Sequence, residues 1–330
     1  MDLNYGSPFV DRLINFLDRS PTPWHAVANI SKYLEYCGFI RLDERKAWCL
    51  EAGASYFAVR SGGALVAWRQ PVDVGGWTIF GAHTDSPNLR VRPAPIVKKH
   101  GYFQLGLEVY GGVLLSTWFD RDLSLAGRVA IANEGAVLSE LVDFERPIGV
   151  IPNLAIHLDR EANKGRKINP QDELPLILCR AETDAEMDFS EILARELGRP
   201  VAEISAFDIC AYPVEASQVI GLEGEFLASA RLDNLLSCFI VSEALVQNDT
   251  AEGTMIVLND HEEIGSVSTG GADGPFLESI LRRASTDIDF ERVRANSLMI
   301  SIDNAHGVHP NYASKHDESH RPLLNEGPVV

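Results

Sequence analysis

The stretch Met255-Ile256-Val257-Leu258-Asn259-Asp260-His261-Glu262-Glu263-Ile264-Gly265-Ser266 decides the reading of the fold. Its first four residues form a short apolar run suited to a buried strand. After it, Gly265, Gly270, Gly271 and Gly274 belong in loops and turns. Two adjacent carboxylates therefore stand at the end of a core strand. Neighbours on a regular strand point to opposite faces, but at a strand end the chain turns and both can reach one pocket. Glu262 and Glu263 are costly there unless a cation or a shared proton relieves their repulsion. That cost points to a metal site with a base beside it. A solvated acidic loop is the plainer reading of an isolated Glu-Glu pair, and three other stretches tip the balance against it.

Outward from this stretch, residues 56–60, 64–69 and 77–82 read as strands. The last of them runs into His83-Thr84-Asp85-Ser86-Pro87. A neutral His83 can give a nitrogen to a metal, and Asp85 can fix its geometry from behind. A lone His-x-Asp is common by chance and gains weight only from its partners. On the other side, the apolar strand 297–302 ends in Asp303-Asn304-Ala305-His306. A core helix, 229–247, carries Asp233 in its first turn. The helix dipole favours a carboxylate there in any case; the functional reading is a ligand bridging two cations. Three strands thus end in His83, Glu262-Glu263 and Asp303. In open α/β sheets, sites form outside the carboxyl ends of the strands. One histidine with three or four carboxylates suits zinc or manganese rather than copper.

The remaining chain supplies context. Residues 8–19 and about 24–36 have helical spacing, with Pro21 and Pro23 ending the first helix and Thr22 capping the second. His25, in that second helix's first turn, reads as an exposed or packed histidine. Residues 98–225 change to short strands, Gly pairs and turns, and read as an insertion into the first domain. Within it, Asp120-Arg121-Asp122 reads as a turn with a local ion pair. Ile151 to Leu158 reads as an apolar strand passing into a helix, with His157 alone among apolar neighbours. A packed histidine is the plainer account of His157. Residues 181–199 read as an acidic helix with a solvated face. The formal charge of -18, from 29 basic and 47 acidic residues, argues against nucleic acid or an anionic membrane as the main partner. No apolar run is long enough to span a bilayer. Five scattered cysteines without CxxC spacing predict reduced thiols and a cytoplasmic setting.

Taken together, the sequence resembles the aspartyl aminopeptidases, metallopeptidases that remove acidic N-terminal residues. The resemblance covers nearly the whole chain. It rests on Ser20-Pro21-Thr22-Pro23-Trp24-His25-Ala26-Val27, Gly81-Ala82-His83-Thr84-Asp85-Ser86-Pro87, Trp118-Phe119-Asp120-Arg121-Asp122-Leu123 and Ile151 to Leu158. It continues through Arg231-Leu232-Asp233-Asn234, His261-Glu262-Glu263-Ile264-Gly265-Ser266, Asp303-Asn304-Ala305-His306 and His309-Pro310-Asn311-Tyr312. It implies an α/β fold, a central mixed sheet flanked by helices, of the co-catalytic zinc exopeptidase type. The catalytic domain would be residues 1–97 and 226–330, with an inserted β-rich dimerisation domain at 98–225. The implied site holds two zinc ions, with manganese or cobalt also possible. His83 and Asp303 would hold one ion, Glu263 the other, and Asp233 would bridge. Glu262 would be the general base and Asp85 its supporting carboxylate. His157 would reach the site from the inserted domain as a metal ligand or a substrate-binding group, and His309 would bind substrate. Peptides with an acidic N-terminus are the implied substrates, and a homo-oligomer assembled through the inserted domain the implied state, with no nucleic acid or membrane partner. Family chains continue past the point corresponding to Val330, and a last histidine ligand lies in that continuation. The expectation is therefore a C-terminally incomplete catalytic domain that binds metal weakly and turns over little. The alternative is a truncated, non-catalytic assembly subunit or fragment of the same enzyme.

Overall fold

The computed structural model describes residues 8–133, 135–182, 185–248, 250, 252–285 and 289–330. Helices α1 (Phe9–Asp18) and α2 (Pro23–Tyr36) open the chain. Thr22 caps α2 by accepting from the His25 N–H, and Pro23 stands at a first-turn position where no donor is needed. Strands β1 (Ile40–Leu42), β2 (Ser55–Arg60), β3 (Ala64–Arg69) and β4 (Thr78–His83) follow. Next come β5 (Asn88–Lys99), β6 (Tyr102–Tyr110), β7 (Leu123–Asn133) and β8 (Ala136–Asp143). After them lie the short helix α3 (Pro170–Glu173), β9 (Leu176–Arg180), α4 (Phe189–Leu197) and β10 (Ile204–Pro213). The hairpin β11 (Gln218–Ile220) and β12 (Phe226–Ala228) leads to α5 (Leu232–Gln247) and β13 (Thr254–Asn259). Helices α6 (Phe276–Ala284) and α7 (Phe290–Ala295) precede β14 (Leu298–Ser301).

The first sheet has the order β1-β2-β3-β13-β4-β14. It is mixed: β13 runs parallel to β4 and antiparallel to β3, and β14 runs parallel to β4. Every residue of β13 is buried. Ile256 and Leu258 pack with Leu13, Ile30 and Leu235 of the helices α1, α2 and α5. Met255 and Val257 pack the opposite way, with Trp68, Trp77, Phe276 and Ile280. Covering both faces explains why the run is continuously apolar instead of alternating. Truncating Ile256 to Ala would cost about 2–5 kcal/mol, the usual loss for an emptied core site.

The second sheet, β8-β7-β10-β5-β6-β9, is antiparallel and has its own core, with Leu89, Leu105, Leu125 and Ile209 among its residues. Its strands begin at Asn88, ahead of the boundary expected at residue 98. Chain segments from one sheet therefore enter the other directly after the Asp85 turn.

Three local expectations are corrected. Residues 151–158 form neither strand nor α-helix; Ile151 is buried, while Leu154, Ile156, His157 and Leu158 face solvent. Asp120, in the left-handed region, holds this segment as a loop by accepting from the Asn153 N–H (2.8 Å) and Nδ2 (2.7 Å). Arg121 does not pair within its own turn but with Glu215 at 2.8 Å. The acidic segment is helical only from Phe189, capped by Asp188, and residues 183 and 184 lie outside the described residues. Phe189, Leu193 and Ala194 are buried, so the helix is amphipathic rather than simply solvated. Among the described residues, no helix is long and apolar enough to cross a membrane.

Candidate active site

The parallel register sets the site. His83 ends β4 opposite Asn259, which ends β13, and Ser301 at the end of β14 stands opposite Gly81. The three strands therefore deliver His83, the 260–263 turn and Asp303 to one edge of the sheet. His261 lies in the left-handed region and turns the chain into a 3-10 turn, Glu262–Ile264. Asp233 comes from the start of α5, where the backbone is not yet helical and the Asp233–Asn234 peptide is cis. The Ser86 hydroxyl donates to the Asp233 carbonyl at 2.6 Å, and Asn234 Nδ2 donates to the Ile302 carbonyl at 2.9 Å. The strand ends and α5 are thus tied to each other through backbone carbonyls.

His83 Nε2 faces a ring of carboxylates. Asp233 Oδ1 lies at 3.3 Å, Asp303 Oδ1 at 3.6 Å and Glu262 Oε2 at 3.9 Å. His83, Asp233 and Glu263 each offer a ligand atom, all within 4.8 Å of one another. The His83 side chain is 6% exposed, whereas those of Asp233, Glu262 and Asp303 are 53%, 50% and 56% exposed. One side of the cluster is anchored in the sheet and the other opens to solvent, where a substrate can arrive.

Behind His83 lies Asp85, fully buried. Its Oδ1 is 3.3 Å from His83 Nδ1 and accepts the Glu262 N–H at 3.0 Å. Its Oδ2 accepts the Glu263 N–H at 3.1 Å and the Tyr110 hydroxyl at 2.7 Å. One carboxylate thus orients the imidazole and both residues of the Glu-Glu pair.

The electrostatics follow from this crowding. Burial and the neighbouring Asp233 push the Glu263 carboxyl up to about 7. Burial and Asp303 raise Asp233. Burial opposes protonation of His83, but the hydrogen bond to Asp85 and the charges of Asp85, Asp303 and Asp233 prevail and push it up to about 9. Asp85 is itself held low, because the hydrogen bonds from His83 and Tyr110 outweigh its burial. Such a surplus of negative charge around an imidazole is what a divalent cation neutralises, and nitrogen and carboxylate donors together fit zinc.

The sequence-derived residues His83, Asp85, Asp233, Glu262, Glu263 and Asp303 come together here. His157 and His309 do not belong to the group of ligand atoms. His157 stands exposed in the 151–158 loop. The exposed His309 accepts from the Asn311 N–H at 3.2 Å and stacks edge-on against Tyr312. Residues not anticipated from sequence are Tyr110, Ser86, Asn234 and Cys238, whose thiol donates to the His83 carbonyl at 3.0 Å. The Gly111-Gly112 pair after Tyr110 was the available signal, since glycines mark close backbone approach.

Residues 16–330 match the family profile described as aminopeptidase I zinc metalloprotease (M18). A probable M18 family aminopeptidase 2 of Azotobacter vinelandii is 52% identical over 328 residues, spanning 96% of this chain and 76% of that protein. Among solved structures, Ape4 in its complex with Nbr1 superposes with a TM-score of 0.91 at 34% identity, covering 96% of this chain and 67% of that one. An M18 aminopeptidase from Thermotoga maritima gives 0.84 at 25% identity, covering 96% and 73%. The histidine and carboxylates gathered at the strand ends, the mixed sheet with its antiparallel companion and these likenesses converge on one conclusion: the chain belongs to the M18 family of zinc-dependent aminopeptidases.

Proposed function

We propose that the site releases N-terminal Asp or Glu from peptides with two divalent cations and a glutamate base. The observation that carries the metal reading is the convergence of ligand atoms from His83, Asp233 and Glu263 within 4.8 Å. His83 and Asp303 would hold one cation, Glu263 the other, and Asp233 both; zinc fits best, with manganese or cobalt as substitutes. When bound, such cations supply positive charge that polarises a scissile carbonyl and acidifies water. Glu262, half exposed at the mouth of the cluster, takes a proton from the attacking water and returns it to the leaving amine. Asp85 holds His83 and the backbone of Glu262 in place for that transfer. The acidic preference is supported by the likeness of the motifs to the aspartyl aminopeptidases. Homo-oligomer formation is supported by the dodecamer of the related S. cerevesiae mApe1. The exposed Val137 and Leu138 on β8 favour the inserted sheet as its contact surface. His157, exposed on that same domain, would then serve a neighbouring subunit's site, and His309 would meet substrate at the rim. Free thiols at all five cysteines fit a reducing cytoplasm.

The test is hydrolysis of Asp-, Glu-, Leu- and Ala-anilides by zinc-loaded protein, with and without a chelator. Chelator-sensitive release of the acidic residues is expected. Equal release of neutral residues would remove the acidic preference. No release from any substrate would support the non-catalytic assembly reading instead.

A further inference from the structure

We propose that Tyr110 is a positioning residue through which the antiparallel domain holds the metal site in shape. The inference rests on the metal reading of His83, Asp233 and Glu263 above. Tyr110 ends β6, in the second sheet, and is itself buried. Its hydroxyl donates to Asp85 Oδ2 at 2.7 Å. Asp85 in turn accepts from the Glu262 and Glu263 backbone and stands beside His83 Nδ1. A single carboxylate, that of Asp85, therefore stands between a residue of one sheet and the Glu262-Glu263 turn and imidazole of the other.

Two further observations make this a built support and not a chance contact. The Arg90 guanidinium lies 3.9 Å from the centre of the Tyr110 ring, and Arg90 Nη1 donates to Asp208 at 3.2 Å. Among the described residues Arg90 Nε and Nη2 are buried with no hydrogen-bond acceptor, and the guanidinium lies closest to the Tyr110 ring, with the Trp24 ring farther off at 5.7 Å. The ring is thereby fixed in orientation before its hydroxyl reaches Asp85. The next residue, Gly111, has φ of 74°, and a Cβ there would come within 3.0 Å of Glu263 Cβ and 3.4 Å of Glu263 Oε2. The same strand end thus holds Asp85 by a hydrogen bond and abuts Glu263 directly. A carboxylate behind a ligating histidine sets the ring's orientation and basicity, and its own partners share that role. Removing the phenol oxygen should leave Asp85 one donor short and free to shift, taking His83 and the Glu262 and Glu263 backbone with it.

The experiment compares Co(II) affinity, by competition with a chelator, in wild type, Y110F, D85N, Y110F/D85N and D233A. The visible spectrum of bound Co(II) and the melting temperature of the metal-free proteins are recorded alongside. Y110F is expected to weaken Co(II) binding roughly 10-fold and to change the spectrum, with a metal-free melting temperature close to wild type. The double variant should bind no more weakly than D85N, because Tyr110 acts through Asp85. Wild-type affinity and spectrum in Y110F, or additive losses in the double variant, would overturn the proposal. D233A tells the two readings apart: unimpaired binding there refutes the metal site itself, whereas impaired binding there with normal Y110F refutes only the role of Tyr110. If Y110F does not fold, hydrogen exchange on the wild-type protein decides. Co(II) should slow exchange at the Tyr110 and Gly111 amides, and unchanged rates there would count against the support.

Discussion

Glu262 and Glu263 are neighbours in sequence that the geometry places differently, and the proposed function gives them different tasks. Glu263 offers a ligand atom in the group with His83 and Asp233. Glu262 comes within 3.9 Å of His83 Nε2 but stands outside that group. Glu262→Gln should therefore keep its metal and lose turnover by about 100- to 10,000-fold, the usual contribution of a positioned base. Asp233→Ala should lose metal first and activity as a consequence. Metal analysis of the two purified variants beside their rates is the check; equal metal loss in both would erase the distinction. The clustered residues His83, Asp233, Glu263 and Asp303 were legible in the sequence because each lies at the end of an apolar strand or at the start of a core helix. Tyr110 was not, since its partner Asp85 is 25 positions away and the Gly111-Gly112 pair beside it marks a close approach without saying to what.

Helix α2 shows how a local rule becomes a pH dependence. His25 sits in its first turn, where the helix dipole disfavours a cation. Thr22 Oγ1 lies 2.7 Å from His25 Nδ1 and also accepts the His25 N–H. Burial, then Arg231 and Lys32, lower His25 from 6.5 to about 4. The unfolded chain therefore binds this proton more readily, and stability falls as pH drops from 6.5 toward 4. The full loss, complete only below the folded value, is on the order of 3 kcal/mol. His25→Gln should flatten that leg, seen as a melting temperature that falls less than wild type across the same range. Parallel curves for the two proteins would show that His25 titrates normally. The sequence placed the helix, its cap and this histidine correctly, because those depend on residues a few positions apart. The 151–158 loop defeated the same approach: its apolar spacing suggests a strand, but an Asp120 contact from 33 positions away determines its path.

At the scale of the molecule, the two sheets differ in what they leave open. Among the described residues the mixed sheet ends at β14, which pairs only with β4. Leu298, Met299 and Ile300 on that strand are 58%, 48% and 40% exposed. An apolar edge with unpaired backbone donors and acceptors is a template for strand addition. The strand was predictable from its composition, but its exposure was not, because burial depends on what lies beside it. Residues 1–330 should therefore aggregate through this edge when warmed or concentrated. A lysine at an edge position opposes pairing with a second edge and costs little on an already exposed site, within about 0.5 kcal/mol. Leu298→Lys should accordingly slow the growth of light scattering on warming while leaving the melting temperature nearly unchanged. Lysine at the exposed Val137 of β8, in the other sheet, serves as the control and should not slow it. If Leu298→Lys aggregates as fast as the parent and the Val137 variant does not, the association runs through the inserted sheet and the β14 edge is protected in solution.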